Sequence, residues 1–338
     1  MATATSNSAA IAHDLKRKQN LAHGKITDNA GCLTATLNED FSMDKTIFKT
    51  LTKRSPAALF QRSKLDYHYS WNTETAAAIE KAYAEVPRPV ADDSAIFKFM
   101  FEECDFAIEH ADGSFLDHLN FCQEYAARHY TKAATTPRVM LLHSICGVGT
   151  NCFPMTLEKL PMLRTLLSTE DMAQIEAFPS ILRLLVHGPL LAELAACDAA
   201  TLGKLLAIRC RRLLDNEPIT LSASQLWEQL NYQLIHAIDF LPPASWKRTC
   251  GTYFFHIFVE LHELLSRVGE LKANVGWNPE WMQPLAEGAL PPTWRHWLIE
   301  LLPTRLVLKL SSKSMEKFSS AVGHSLEYAL EWEPPSKL

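Results

Sequence analysis

The sequence predicts an all-α fold on three observations. Glycine is scarce, with 12 residues in 338, which is about half of the roughly 7% that is usual. Leucine greatly outnumbers valine, and β-branched residues are among those that favour strands. Apolar residues recur at i, i+3, i+4 and i+7 through most of the chain, which is the spacing of an amphipathic helix.

Composition narrows the class of protein. Apolar residues make up 47% of the chain and charged residues 21%, which is typical of a globular protein. The net charge of −5 lacks the basic character of a nucleic-acid binder, so we expect no nucleic-acid partner. We also expect no transmembrane segment, because the chain contains no apolar run of roughly 18 residues.

The cysteines indicate a reducing compartment. There are eight of them, none in a C-x-x-C pair, and several lie in apolar stretches. This pattern predicts buried thiols rather than disulfides or a zinc ribbon. The N-terminus also lacks the pattern of a secretory signal. The sequence therefore predicts a cytoplasmic protein, and it does not indicate an oligomeric state.

The first elements follow from polarity and from helix-breaking residues. Residues 1–45 are polar and poor in aromatic side chains, so we expect a flexible N-terminal tail. A helix is predicted at about 73–84 and is stopped before Pro87. Asp93 or Ser94 then provides the N-cap of the next helix.

Two further helices have clear start signals. Ser114 is positioned to cap a helix over 115–129. Pro137 would stand near the first position of a helix that runs to about Cys146 and ends at Gly147. The connection between these helices is about seven residues long, and short connections of this kind join antiparallel neighbours.

The remainder of the chain is rich in leucine. Predicted helices cover about 157–168, 170–186, 189–213, 222–240, 246–268 and 314–331, with breaks at Pro179 and at Gly188-Pro189. The segment Asp215-Asn216-Glu217-Pro218 is the strongest break. We therefore predict a helical domain over 46–215 and a C-terminal helical region over 216–338.

Two histidines fall on the inward faces of successive helices. His118 shares the core face of its helix with Leu119 and Cys122, and His143 shares the core face of the next helix with Leu142. Imidazole is the commonest neutral metal ligand. The two histidines therefore form either a metal site or a pair of hydrogen-bonded core residues, and we expect their rings to lie close together.

The residues around these histidines resemble a known family. Asp117-His118-Leu119 followed by Leu141-Leu142-His143-Ser144-Ile145-x-Gly147 is similar to the motif of an uncharacterised HD-like helical domain family. That motif reads H-L and then, after about two dozen residues, L-x-H-S-x-x-G. The resemblance covers about 97–178, and it implies an HD-like helical core within 46–215.

The resemblance implies a metal-dependent enzyme. In HD domains a histidine and a later His-Asp pair bind a divalent metal, which serves phosphate-ester hydrolysis or dioxygen chemistry. His118 and His143 match the two histidines, whereas Ser144 stands in place of the aspartate. A hydroxyl is a weaker ligand than a carboxylate, so His110 and Asp112 become candidates to complete the metal site.

Two classes of function follow. In the first, the protein is a hydrolase or oxygenase that acts on a small molecule with iron, manganese or zinc, and Asp117 and Ser144 are its catalytic candidates. In the second, it is a non-catalytic helical scaffold that binds a protein partner or a small ligand. A carboxylate beside both His118 and His143 would favour the first.

A second polar stripe lies in the C-terminal region. Its members recur with helical spacing on two successive helices, which could face each other in a bundle. They are Tyr232, His236 and Asp239 on one helix and His256, Glu260 and Glu263 on the other. This stripe predicts either another metal site or, more simply, a solvated helix face.

Overall fold

The computed structural model describes residues 25–29, 32–36, 94–104, 115–148, 151, 153–240, 253–275 and 304–334. These residues are mostly helical, which confirms the helical character predicted from the sequence. A small antiparallel sheet accompanies the helices. The predicted helix at 73–84 and the residues His110 and Asp112 lie outside the described ranges.

The first part of the chain contributes a hairpin and the helices that carry the two predicted histidines. Its elements are β1 (Lys25–Asn29), β2 (Cys32–Thr36), α1 (Ser94–Glu102), α2 (Phe115–His129) and α3 (Arg138–Leu142). The strands β1 and β2 lie within the predicted tail and pair with each other in antiparallel orientation. Pro137 is the N-cap of α3, where its fixed φ suits the start of a helix.

The central part of the chain supplies the longest buried helix. A 3₁₀ turn (Leu157–Lys159) is followed by α4 (Leu160–Leu166), α5 (Thr169–His187), α6 (Pro189–Ala196) and α7 (Ala199–Leu202). Ser168 caps α5 by accepting a hydrogen bond from the Asp171 amide at 3.1 Å. The helix α5 continues through Pro179, where the sequence predicted a break.

The last part of the chain mixes strands and helices. Its elements are β3 (Leu205–Arg211), β4 (Pro218–Ser222), α8 (Ala223–Phe240), α9 (Tyr253–Val268), α10 (Thr304–Ala321) and β5 (Ala329–Trp332). The all-α prediction is therefore too simple, because β3, β4 and β5 form one sheet in the order β4-β3-β5.

The sheet corrects two predicted helices. Strand β3 occupies the end of the helix predicted at 189–213, and β5 follows α10 where one continuous helix was predicted at 314–331. Ile208 in β3 lies opposite Leu221 on one side and Leu330 on the other. Pairing on both sides of β3 outweighs the helix propensity of its leucine and alanine residues, because strand formation depends on cross-strand packing.

The predicted domain boundary at residues 215–216 falls in the turn between β3 and β4. Arg212 donates two hydrogen bonds to Asp215, at 2.6 and 2.8 Å, and it also pairs with Glu176 on α5. Asn216 takes a positive φ of 61° at the tip of the turn. The turn is thus tied to the central helix, and the division into two domains stays a prediction.

Arg183 of α5 connects distant parts of the chain. Its side chain is fully buried. It donates hydrogen bonds to the Val148 carbonyl at 3.0 Å, to Asn151 Oδ1 at 2.6 Å and to Ser319 Oγ on α10 at 3.1 Å. The guanidinium therefore joins the loop that follows α3 to the C-terminal helix. Burial lowers the pKa of Arg183 to about 10.

The described helices are too short or too polar to cross a membrane singly. Among the described residues, no single helix combines the necessary length with sufficient apolar character. The helices α5 and α6 meet the criterion only as a pair, which is bent by 78°.

Candidate metal centre

Three helices direct histidines to one point in the core. Helix α2 carries His118, the residue just after α3 is His143, and α8 carries His236. All three side chains are buried, with exposed fractions of 1%, 0% and 5%. Each histidine lies on the buried side of its element, so the packing of the helices brings the three rings into contact.

His118 and His143 lie within hydrogen-bond distance of each other. Their Nε2 atoms are 3.1 Å apart, and their ring centroids are 5.0 Å apart at an interplanar angle of 79°. This confirms the prediction that the two imidazoles lie close together. Two Nε2 atoms this near must either share one proton in a hydrogen bond or bind one cation, since two bare lone pairs would repel each other.

The orientation of the His143 ring is fixed from its other nitrogen. Nδ1 lies 2.6 Å from the Met140 carbonyl oxygen. A carbonyl can only accept, so Nδ1 carries the proton and Nε2 presents its lone pair towards His118. A hydrogen bond of this kind, from the ring nitrogen that does not bind metal, is the usual support of a metal-binding histidine.

Cys122 lies one helical turn after His118 and completes the cluster. Its Sγ is 3.7 Å from Nδ1 and 4.0 Å from Nε2 of His118. One ligand atom from each of His118, Cys122 and His143 can be chosen so that all three lie within 4.8 Å of one another. Burial raises the pKa of the Cys122 thiol well above its usual value, so the thiol is neutral until a cation displaces its proton.

His236 and Phe178 close the cluster on the side of α5 and α8. The His236 ring centroid lies 5.1 Å from that of His118 and 4.9 Å from that of His143, in edge-to-face arrangements. Phe178 packs on His143 at 4.6 Å and on His236 at 5.2 Å. The rings of His143 and His236 are thus held by an aromatic contact as well as by each other.

The observed separations fit a tetrahedral metal. Two nitrogens at about 2.05 Å from zinc would lie about 3.4 Å apart, and a nitrogen and a thiolate sulfur about 3.6 Å apart. The observed Nε2–Nε2 distance is 3.1 Å and the Sγ–Nε2 distance to His118 is 4.0 Å. These two separations differ from the ideal values by about 0.3 and 0.4 Å, and all three ligand atoms lie within 4.8 Å of one another.

The other site residues predicted from the sequence, where the structure describes them, are not part of the His118, Cys122 and His143 group. Ser144 is buried, and its carbonyl accepts a hydrogen bond from the Gly147 amide. Asp117 lies on α2 next to His118. Within the described part of the chain, the close group of ligand atoms includes no carboxylate. The roles predicted for Asp117, Ser144, His110 and Asp112 therefore remain predictions.

Sequence reasoning missed two members of the cluster. Cys122 was interpreted as a packing residue, although its spacing of four from His118 places both on one helix face. His236 was grouped with the second polar stripe. In that stripe Glu260 and Glu263 are exposed, as expected of a solvated face. His236 differs from them in being buried, and the sequence around it contains no signal of that burial.

Comparison with known proteins adds no relative to this description. No family model, curated protein or solved structure matches the chain.

Proposed function

We propose that this protein binds one divalent metal ion at His118, Cys122 and His143. The observation that carries the proposal is the 3.1 Å separation of the two histidine Nε2 atoms. A buried imidazole pair at that distance, with a thiol one helical turn away, provides three donors directed at one point. Two imidazoles and a thiolate would neutralise half of the charge of a divalent cation.

The donor set selects zinc among the three metals named from the resemblance. Thiolate and imidazole are preferred by zinc, whereas manganese prefers oxygen ligands. Zinc also accepts the tetrahedral arrangement that the side-chain separations fit. Iron(II) would bind more weakly than zinc at such donors. The Cys122 thiolate would supply the negative charge that the HD-like motif lacks at Ser144.

The activity that we propose is hydrolysis of a small molecule. Three protein ligands leave one position of a tetrahedral zinc for water, and zinc lowers the pKa of such a water to about 7. His236 contacts both ligand histidines, so its imidazole could orient that water. The resemblance of the His118 and His143 segments to an HD-like family supports this class of reaction.

A second candidate function is a structural zinc site. It is favoured by the same position of His236, which could provide a fourth protein ligand instead of orienting a water. Structural zinc sites have four protein ligands, whereas catalytic sites have three and a water. Complete burial of His143 and Cys122 also suits a structural role, in which the ion connects α2, α3 and α8.

Metal analysis of the purified protein tests binding itself. We expect about one zinc per chain, and we expect His143→Gln and Cys122→Ser to lower the zinc affinity by at least about tenfold. His324→Gln and Cys210→Ser are matched controls, because both alter buried residues of the same types outside the cluster. Equal affinity in all four variants would refute the proposed site.

Cobalt substitution separates the catalytic from the structural candidate. With three protein ligands and a water, added azide should displace the water and change the visible spectrum of bound Co²⁺. The sulfur-to-cobalt charge-transfer band should disappear in Cys122→Ser. A spectrum that azide does not alter in the wild type, but alters in His236→Ala, would identify a structural site with His236 as the fourth ligand.

A further inference from the structure

A seam of buried glutamines lies between α5 and α8. Gln174 on α5 and Gln229 and Gln233 on α8 have exposed fractions of 0%, 0% and 2%. Glutamine is mostly a surface residue. Three such amides between two core helices, next to the histidine cluster, are therefore a feature that packing alone does not explain.

Two of these amides are oriented by backbone carbonyls of the opposite helix. Gln174 Nε2 donates to the Gln225 carbonyl at 3.0 Å, and Gln233 Nε2 donates to the Phe178 carbonyl at 3.1 Å. Because a carbonyl only accepts, the nitrogen of each amide must face it. The Oε1 atoms of Gln174 and Gln233 are therefore the atoms of these amides that can still accept a hydrogen bond.

These acceptors have no donor among the residues that the structure describes. Within the described ranges, neither Gln174 Oε1 nor Gln233 Oε1 has a hydrogen-bond partner, and neither Oε1 nor Nε2 of Gln229 has one. Buried polar atoms are satisfied in most protein interiors, by protein groups or by ordered water. Four unsatisfied atoms in one interface therefore indicate a binding site for a molecule that both donates and accepts.

The glutamines of α8 follow one another at helical spacing. Gln225, Gln229 and Gln233 are spaced by four residues and lie on one helix face, about 6 Å apart along the axis. His236 follows Gln233 by three residues on the same face. Phe178, whose carbonyl binds Gln233, also packs on His236. The row therefore ends at the proposed metal centre.

We infer that the glutamine seam binds a row of water molecules that leads to the metal centre. Water donates to the fixed carbonyl oxygens and can both donate to and accept from Gln229, and it carries no charge into a seam of uncharged amides. The second part of the inference rests on the proposed function: the row supplies water to the open position of the metal and conducts protons away from it.

Methionine substitution tests the seam independently of the metal. Methionine has nearly the shape of glutamine without its hydrogen bonds. If water fills the seam, Gln229→Met removes partners of that water, and we expect the Tm of the metal-free protein to fall by roughly 2 °C or more. In a dry seam the same change removes an unsatisfied amide and raises the Tm, which would overturn the inference.

A control and a direct observation complete this test. Leu230→Met introduces methionine at another fully buried position of α8 and reports the effect of the side chain itself. A high-resolution crystal structure should show ordered water within hydrogen-bond distance of Gln174 Oε1 and Gln233 Oε1. Density that is empty at both oxygens would also overturn the inference.

A separate measurement tests whether the row of water molecules reaches the metal centre. In the Co²⁺-loaded protein, exchange of metal-bound water enhances the relaxation of bulk water protons. We expect Gln229→Met to reduce this enhancement severalfold while the Co²⁺ affinity stays unchanged. An unaltered enhancement would refute the connection. Loss of Co²⁺ binding in His143→Gln tests the metal site alone, so the failure of either proposal can be distinguished from failure of the other.

Discussion

The Nδ1 atom of His143 lies 2.6 Å from the carbonyl oxygen of Met140. This hydrogen bond fixes the tautomer of His143 and directs its Nε2 lone pair at His118. In the absence of a cation, His118 Nε2 must then carry the proton of the 3.1 Å contact, and its Nδ1 can accept from the Cys122 thiol at 3.7 Å. Metal binding would therefore move the His118 proton from Nε2 to Nδ1 and displace the proton of Cys122.

Because the Cys122 thiol must lose its proton to bind a metal, we predict that the metal affinity depends on pH. Burial raises the pKa of Cys122, so the thiol is protonated before the metal binds and releases one proton on binding. Between about pH 7.5 and 9 the zinc affinity should rise about tenfold per pH unit. Competition titrations would measure the slope. Cys122→Ala should bind more weakly and with a flatter dependence, and parallel slopes in both proteins would contradict a thiolate ligand.

Gly147, four residues after His143, is required at its position. It has a φ of 122°, and an added Cβ would lie 2.8 Å from Leu213 Cδ2 and 2.9 Å from Phe153 Cε1. Gly188 is the matched control, because it has a φ of 106° and an added Cβ would have no heavy atom of the described residues within 4 Å. Both alanine variants should be destabilised by backbone strain, and Gly147→Ala by about 1–3 kcal/mol more. Equal losses in denaturant unfolding would show that the loop simply moves.

His324 should make the protein less stable in mild acid. Burial lowers its pKa, the hydrogen bond to the Arg211 carbonyl opposes this, and the charge of Arg183 lowers it further. The unfolded chain therefore takes up a proton, near the ordinary value of about 6.5, that the folded state does not. The contribution of His324 to the free energy of unfolding is complete above about pH 6.5 and falls below it.

Thermal unfolding of the wild type and His324→Gln between about pH 7.5 and 5.5 would measure this effect. We expect the Tm of the wild type to fall more steeply than that of the variant. A variant with the same pH dependence as the wild type would mean that other groups cause the loss.

Arg212 should matter much more than Arg209, although each forms an ion pair. Arg212 is buried and pairs with Glu176 and Asp215, whereas the side chain of Arg209 is 62% exposed beside Glu331. Breaking a buried pair leaves an uncompensated charge. We expect Arg212→Gln to lower the free energy of unfolding by about 3 kcal/mol and Arg209→Gln by less than about 1 kcal/mol. Similar losses in urea titrations would refute this ranking.

The helical parts of the fold could be predicted because their signals are local. Ser168 and Pro137 mark the starts of α5 and α3, and apolar spacing marks the buried faces. Strand β3 could not be predicted in this way. Its conformation depends on pairing with β5, whose residues lie more than a hundred positions away along the chain. The residues of β3 themselves do not indicate that pairing.

The candidate site was predictable in part for the same reason. His118 and His143 belong to successive helices joined by a short connection, so periodicity alone brings them together. His236 reaches them only through the packing of α8 against α2 and α5, which its own sequence context does not reveal. Cys122 was on the predicted core face, but a buried thiol has the same pattern whether it packs or binds a metal.

The order of β4-β3-β5 also has a consequence for synthesis. Strand β3 can pair with β4 as soon as the hairpin leaves the ribosome. Its other edge stays unpaired until β5 has been synthesised. At roughly 5–20 residues per second, this wait lasts about 6–25 seconds. Throughout it, the β5-side edge of β3 presents unpaired backbone groups, and such an edge is a template for another chain. Until β5 is made, the nascent chain is therefore open to association through this edge.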